Sequence, residues 1–175
     1  MGFIKTNSKE NSNSIELYYE DYGSGQPIVL IHGWPLSHRM WDTQIEALVN
    51  AGYRVIAYDR RGFGQSSKPF SGYNYNAMAS DLKDIIDQLE LKNAILVGFS
   101  MGGGEVARYI GKYGTENIDK TILIGAVTPF LKETKDNKNA VDASVFESMK
   151  DGIKADRAGF FEDFLAILFT FKVVF

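Results

Sequence analysis

The stretch AILVGFSMG at positions 94–102 decides the fold. Its first four residues are an apolar run of the kind that forms a strand buried on both faces of a parallel sheet. The G-x-S-x-G that follows, with a helical pattern over Met101–Tyr113, predicts a nucleophile elbow, in which a serine lies on a strained turn between strand and helix. Gly98 and Gly102 leave out side chains that would collide with the neighbouring backbone. We therefore predict that Ser100 is a nucleophile, with an ordinary helix-capping serine as the alternative.

Apolar runs and helical periods alternate along the rest of the chain. Further buried strands are predicted at Pro27–Ile31, Val55–Tyr58 and Thr121–Val127, and an N-terminal hairpin at Phe3–Lys5 and Ser14–Tyr19. Helices are predicted over Trp41–Val49, after a Ser37 cap, and over Met78–Leu89. This alternation predicts an α/β fold, with a mostly parallel sheet, right-handed crossovers and helices on both faces.

The character of the chain changes near residue 130. The sequence KETKDNKN at 132–139 is a charged loop, and helical stretches follow at Ala143–Ile153 and Ala158–Phe169. We therefore divide the chain into residues 1–128, the N-terminal part of the core, and residues 129–175, the interrupted start of a helical cap.

The composition is that of a soluble globular enzyme or binding domain. The 175 residues are 45% hydrophobic and contain no cysteine, with 19 Lys and Arg against 22 Asp and Glu. A net charge of −3 without a basic run argues against a nucleic-acid partner. The absence of cysteine excludes a disulfide scaffold, a cysteine-based zinc site and a cysteine nucleophile. No apolar segment approaches the ~20 residues that span a bilayer, so we predict a cytosolic protein without a membrane partner.

A second motif, His32-Gly33-Trp34-Pro35, follows the predicted strand Pro27–Ile31. A loop at the carboxyl end of that strand lies beside the elbow, and its backbone can point an N–H at the same oxygen as the helix N-terminus does. We predict that the N–H groups of Trp34 and Met101 form an oxyanion hole, in which one donor contributes ~2.7–4 kcal/mol. The Trp34 ring either lines an acyl pocket or only packs the loop.

The two histidines of the chain, His32 and His38, both precede Ser100. We predict a structural role for His32, with its ring bonded to nearby backbone or carboxylate, and an exposed position for His38. The charged turn at 59–61 (DRR) is also predicted to be structural. No residue after position 38 can supply an imidazole, which is the usual general base at neutral pH.

Three segments closely resemble a known family: VLIHGWP (29–35), YRVIAYDRRGFGQSS (53–67) and VGFSMGGGEVARY (97–109). They resemble the α/β-hydrolase-fold serine esterases called cofactor-free (non-haem) haloperoxidases or perhydrolases, over most of the chain from about Ile15 to Phe161. The resemblance implies that Ser100 is the nucleophile and that Trp34 and Met101 supply the oxyanion donors and contact the substrate. It also implies small ester substrates and an acyl-serine that water cleaves, or hydrogen peroxide in a peracid side reaction. No haem, metal or other cofactor is implied.

The chain departs from the family pattern after Ser100. Family members are longer and carry, in chain order, the serine, an aspartate after a later strand and a histidine near the C-terminus. Here six aspartates follow Ser100 without that strand-plus-loop context, and no histidine follows it. We therefore expect an α/β-hydrolase core that is incomplete at its C-terminus, with an unpaired last strand that favours self-association. The alternative function is a catalytically silent chain that lacks the Asp and His of the triad.

Overall fold

The computed structural model describes residues 1–10, 13–128 and 130–169. The six strands are β1 (Gly2–Glu10), β2 (Asn13–Tyr22), β3 (Pro27–Ile31), β4 (Arg54–Tyr58), β5 (Ala94–Phe99) and β6 (Ile118–Ile124). The helices are a 3₁₀ helix (His38–Trp41), α1 (Asp42–Asn50), α2 (Tyr75–Gln88), α3 (Met101–Tyr113), α4 (Ala143–Ala155) and α5 (Arg157–Phe169). The sheet has the order β1-β2-β4-β3-β5-β6.

The sheet is parallel from β4 to β6 and antiparallel at its N-terminal end. β3 pairs with β4 and β5 in parallel, β5 pairs with β6 in parallel, and the β1–β2 hairpin joins β4 through an antiparallel β2. The predicted hairpin is confirmed, with Phe3 opposite Tyr18. The predicted α/β fold class, with a mostly parallel sheet and helices on both faces, is confirmed as well.

The core lies on both faces of this sheet. Alternate residues of β3 point to opposite sides, so Val29 and Ile31 pack in the cluster that contains residues of α2 and α3, while Ile28 and Leu30 pack with Ile45 of α1. These four of the five β3 side chains are at most 4% exposed. β3, β4 and β5 are therefore buried on both faces, as their continuous apolar sequences predict.

The last predicted strand differs from the structure in range and in burial. We predicted Thr121–Val127, whereas β6 begins at Ile118 and ends at Ile124, before Gly125 with φ +50°. Ile122, Leu123 and Ile124 are 48%, 47% and 42% exposed, so the prediction of burial on both faces is wrong for this strand. The reason is position: β6 pairs with β5 along one edge, and no strand among the described residues pairs along the other.

A second compact unit follows the first, and its described residues are 130–169. Within it, the bridges Lys132–Val141 and Thr134–Asn137 shape the charged loop, and Asp142 caps α4 by accepting a hydrogen bond from the Ser144 N–H. Both predicted helices are present, as α4 and α5. No helix in the described ranges is long and apolar enough to cross a membrane. Assignment of 129–175 as a cap remains a prediction.

Candidate active site

Ser100 lies on a tight turn between β5 and α3, with φ +52° and ψ −118°. Its N–H donates to the Ile124 carbonyl (2.9 Å), and its carbonyl accepts from the N–H groups of Gly103 and Val127 (3.0 Å each). An ordinary capping serine has an extended backbone and accepts a hydrogen bond from the helix through its hydroxyl. Ser100 has a positive φ and makes no side-chain cap hydrogen bond. The helix-capping alternative therefore does not explain this serine.

The turn depends on close backbone packing that only glycine allows. A Cβ on Gly102 would lie 2.4 Å from the Ile31 carbonyl oxygen, and a Cβ on Gly98 would lie 2.7 Å from the Gly102 carbonyl oxygen. Both clashes are with backbone atoms, which cannot rotate away as a flexible side chain could. The first turn of α3 is thus seated directly on the carboxyl end of β3.

The 33–37 loop that follows β3 and His32 touches the elbow. A Cβ on Gly33 would lie 2.8 Å from the Phe99 ring and 3.1 Å from the Ser100 Cβ. Met101 is the first residue of α3, where helix N–H groups have no partner within the helix. The structure thus brings the loop that carries Trp34 against Ser100 and Met101. The oxyanion roles of Trp34 and Met101 remain predictions.

His32 is completely buried, and both of its ring nitrogens are engaged. The Arg60 N–H donates to Nε2 (3.1 Å), which leaves the ring proton on Nδ1, where it is donated to the Gly33 carbonyl (2.8 Å). Burial and the charge of Arg60 lower the pKa of His32 to about 3. The ring is therefore neutral and fixed in one tautomer. The structural role predicted for His32 is confirmed.

His38 is 3% exposed, so the prediction of an exposed side chain is wrong. Its N–H and its ring Nδ1 both lie 2.8 Å from Asp59 Oδ1, and its Nε2 lies 3.5 Å from Glu20 Oε1. Burial alone would raise the pKa of Asp59, but hydrogen bonds from His38 and from the Gln65 N–H hold it below its usual value. A side chain at the start of a helix is exposed only if no other element packs against it. Here Asp59, at the end of β4, packs against His38.

A buried polar cluster links the end of β4 to α3. Tyr58 donates its O–H to Glu105 Oε1, and Arg60 Nη1 lies 3.5 Å from Glu105 Oε2. These three side chains are at most 1% exposed. Burial raises the pKa of Glu105 to about 7, against the opposing influence of Arg60 and Tyr58.

The position of Glu105 in the sequence is a signal for this cluster. Glu105 falls on the same helical face as Gly102, Val106 and Tyr109, and all four are buried. A carboxylate on an apolar helix face requires a buried partner. Arg61, next to Arg60, forms a separate buried pair with Asp81 of α2 through two hydrogen bonds of 2.6 Å. The charged turn at 59–61 is therefore structural, as predicted.

Asp119, the aspartate of the first unit that follows Ser100 in the chain, lies at the far end of β5 from Ser100. Asp119 lies at the start of β6, beside the Ala94 end of β5, whereas Ser100 follows the other end of β5. Asp119 accepts hydrogen bonds from Gln26 (2.9 Å) and Lys120 (2.8 Å). The other five aspartates belong to the second unit. Over the described ranges, no cluster of three His, Cys, Asp or Glu side chains could hold a metal ion.

Comparison with known proteins places this arrangement in a family. A model of the alpha/beta hydrolase fold matches residues 26–172. A non-heme chloroperoxidase of Kitasatospora aureofaciens is 42% identical over 151 residues, which are 86% of this chain and 55% of that protein. A bifunctional esterase/perhydrolase of Acinetobacter calcoaceticus is 33% identical over 165 residues, which are 93% of this chain and 58% of that protein.

A solved structure shows the same fold. The crystal structure of a bromoperoxidase from Bacillus anthracis superposes with a TM-score of 0.86 and 53% identity, covering 93% of this chain and 58% of that one. The chain spans between 55% and 58% of the length of these three relatives.

Proposed function

Because the chain belongs to the α/β-hydrolase family, and within it to the group of non-haem haloperoxidases and esterases, we propose that Ser100 is the nucleophile of an acyl-transfer site. The substrates are small carboxylic esters, and the intermediate is an acyl-serine. The bifunctional esterase/perhydrolase among the relatives supports a second outcome, in which hydrogen peroxide replaces water as the acyl acceptor.

The observation that carries this proposal is the backbone of Ser100. A non-glycine residue at φ +52° costs free energy, of the order of 1–3 kcal/mol, and such residues persist where the surrounding structure holds them for a function. The turn places the half-buried Ser100 at the N-terminus of α3 and beside the 33–37 loop. Partial positive charge at a helix N-terminus favours an oxyanion there.

The reaction has two steps. The Ser100 oxygen attacks the ester carbonyl, and the carbonyl oxygen gains negative charge between the N–H groups of Trp34 and Met101. The C–O bond to the alcohol then breaks, and the alcohol leaves with a proton. In the second step water releases the carboxylic acid, or hydrogen peroxide releases a peracid, and either one restores the Ser100 hydroxyl. A peracid released in this way oxidises halide in solution, without haem or metal.

A second candidate function is a chain that is catalytically silent. Residues 101–175 contain no histidine, and the ring nitrogens of His32 and His38 lie against other groups. A serine hydroxyl without a general base stays protonated near pH 7, and loss of triad members lowers kcat by ~10⁴–10⁶. The same elbow would then at most bind acyl compounds.

Labelling of Ser100 by a fluorophosphonate, read by intact mass, tests the proposed nucleophile, with Ser100→Ala as the control. Covalent modification that Ser100→Ala abolishes supports the nucleophile, and equal modification of both proteins contradicts it. Turnover of p-nitrophenyl acetate, with and without added imidazole, separates the two candidates. Turnover that requires Ser100 supports acyl transfer by the chain itself. Turnover that requires both Ser100 and imidazole assigns the deficit to the missing base, and no turnover in either condition supports the silent chain.

Bromide oxidation tests the peracid outcome. Wild-type protein with a small acetate ester, hydrogen peroxide and bromide is expected to brominate an acceptor faster than Ser100→Ala does. Equal rates for the two proteins would contradict peracid formation at Ser100.

A further inference from the structure

The peptide bond between Gly33 and Trp34 carries both a buried carbonyl and the predicted oxyanion donor. A peptide unit is planar, and in this trans peptide the Gly33 C=O and the Trp34 N–H point in opposite directions. Any contact that fixes the direction of the carbonyl therefore fixes the direction of the N–H.

The Gly33 carbonyl is held by two donors. The Leu36 N–H donates to it at 3.0 Å and His32 Nδ1–H at 2.8 Å. A carbonyl oxygen has two lone pairs, so both are used. The Leu36 bond is local to the loop and moves with it. The His32 bond is different because the ring is also tied to a second element, through the Arg60 N–H after β4.

We propose that His32 is a positioning residue of the oxyanion hole: its neutral imidazole bridges the Arg60 N–H and the Gly33 carbonyl and so aims the Trp34 N–H. This inference rests on the proposed acyl-transfer function of Ser100. The imidazole does not touch the substrate and exchanges no proton with it.

The buried position of the ring suits this role. A ring with 0% exposure and both nitrogens engaged has one orientation, so the carbonyl it holds has one orientation too. Arg60 also extends Nη1 toward Glu105, one turn beyond Met101 on α3. Arg60 thus contacts both the His32 ring, which holds the loop of the first predicted donor, and α3, which carries the second.

Two substitutions separate the bridge into its halves. The side-chain amide of His32→Asn stands at the position of Nδ1 and can donate to the Gly33 carbonyl. The amide of His32→Gln reaches the position of Nε2 and can accept from the Arg60 N–H, while leaving the carbonyl with Leu36 alone. Both variants lose the ring, so they are matched for lost packing, and thermal melts check that their stabilities are similar.

The expected result is a difference between these variants in acylation of Ser100. His32→Asn should label within about tenfold of wild type, and His32→Gln should label ~10²-fold more slowly, as for loss of one oxyanion donor. The ratio of ester to thionoester acylation is a second readout, since a hole spaced for oxygen stabilises the larger sulfur poorly. It should fall in His32→Gln and stay near wild type in His32→Asn. Equal effects of the two variants on rate and ratio would overturn the proposal.

Two NMR measurements keep the inference testable if Ser100 proves unreactive or a variant fails to fold. The Trp34 amide resonance should move in His32→Gln and stay in place in His32→Asn. In wild-type protein a scalar coupling should be observed across the hydrogen bond from His32 Nδ1 to the Gly33 carbonyl. If Ser100 is unreactive and both NMR results are as expected, the proposed function is refuted, but the proposal that His32 orients the Gly33–Trp34 peptide is supported. Absence of the coupling would refute the bridge itself.

Discussion

Acidification from pH 8 to pH 5 is expected to destabilise the fold through His32. The folded-state pKa of His32 is about 3, whereas an unfolded histidine titrates near 6.5. Below pH 6.5 the His32 ring binds a proton in the unfolded chain, whereas in the folded chain it stays neutral until the pH approaches 3. The stability that His32 contributes is therefore present above pH 6.5 and is lost as the pH falls toward 3.

The magnitude follows from the two pKa values. The drop of the His32 pKa from 6.5 to about 3 corresponds to about 5 kcal/mol over the whole range, at about 1.4 kcal/mol for each pH unit. Between pH 8 and pH 5 the His32 contribution falls by about 2 kcal/mol, because pH 5 lies 1.5 units below the unfolded pKa. His32→Asn has no group that titrates there. The opposing shift at Glu105 is common to both proteins and cancels in the comparison.

Urea unfolding at pH 8, 6 and 5 measures the effect. The free energy of unfolding of wild type minus that of His32→Asn should shrink by about 2 kcal/mol from pH 8 to pH 5. Because the chain has only two histidines, NMR can follow both rings individually. A His32 ring resonance that titrates with a midpoint near 6.5, or a free-energy difference independent of pH, would show that the ring is not held neutral by burial.

Three further predictions concern packing, pairing and self-association. Gly102→Ala should slow phosphonate labelling of Ser100 by ~10²-fold, because the new Cβ meets the Ile31 carbonyl and displaces the elbow. Gly111→Ala, which has open space around it on the same helix, should leave the labelling rate unchanged. Equal rates for the two variants would contradict the packing argument. Asp81→Asn should lower the free energy of unfolding by ~3–5 kcal/mol, because it leaves Arg61 buried and unpaired. Asp87→Asn, in the exposed pair with Lys83, should lower it by less than ~1 kcal/mol. Similar losses for the two variants in urea unfolding would show that burial does not decide the effect. Ile122→Lys on the exposed edge of β6 should reduce concentration-dependent association in sedimentation velocity. Phe70→Lys, at a 99% exposed position outside the sheet, should leave association unchanged. An unchanged distribution of sedimentation coefficients for Ile122→Lys would refute pairing through that edge.

Much of the fold could be predicted because the local signals agree with the global one. The run before Ser100, the helical period after it and the glycines between them all indicate the same strand–turn–helix unit, and the structure has β5, the turn and α3 at those positions. The strands β3 and β4 were predictable for the same reason, since each is a short apolar run bounded by polar or turn residues.

What could not be predicted depends on contacts distant in sequence. His38 is buried because Asp59, 21 residues away, lies at the end of the adjacent strand, and no local pattern around His38 records that contact. The range of β6 is set by its pairing with β5, in which the register shifts between Ala94 and Ile95. The apolar run TILIGAV (121–127) therefore misplaces both ends of the strand.

Both imidazoles of the chain bind the ends of the 33–37 loop to other groups and not to Ser100. His32 and His38 flank the 33–37 loop and hold its two ends to the end of β4. To reach Ser100, the His32 ring would have to abandon two buried backbone groups, at ~1–3 kcal/mol for each one left unsatisfied.

In the proposed site, the oxyanion donors are thus built separately from the groups that would transfer protons. In serine hydrolases that lose triad members, the oxyanion hole and substrate binding still leave ~10³–10⁴-fold catalysis over water. In the proposed site, the 33–37 loop and the first turn of α3 are therefore the parts that would supply the acceleration left when no general base activates Ser100.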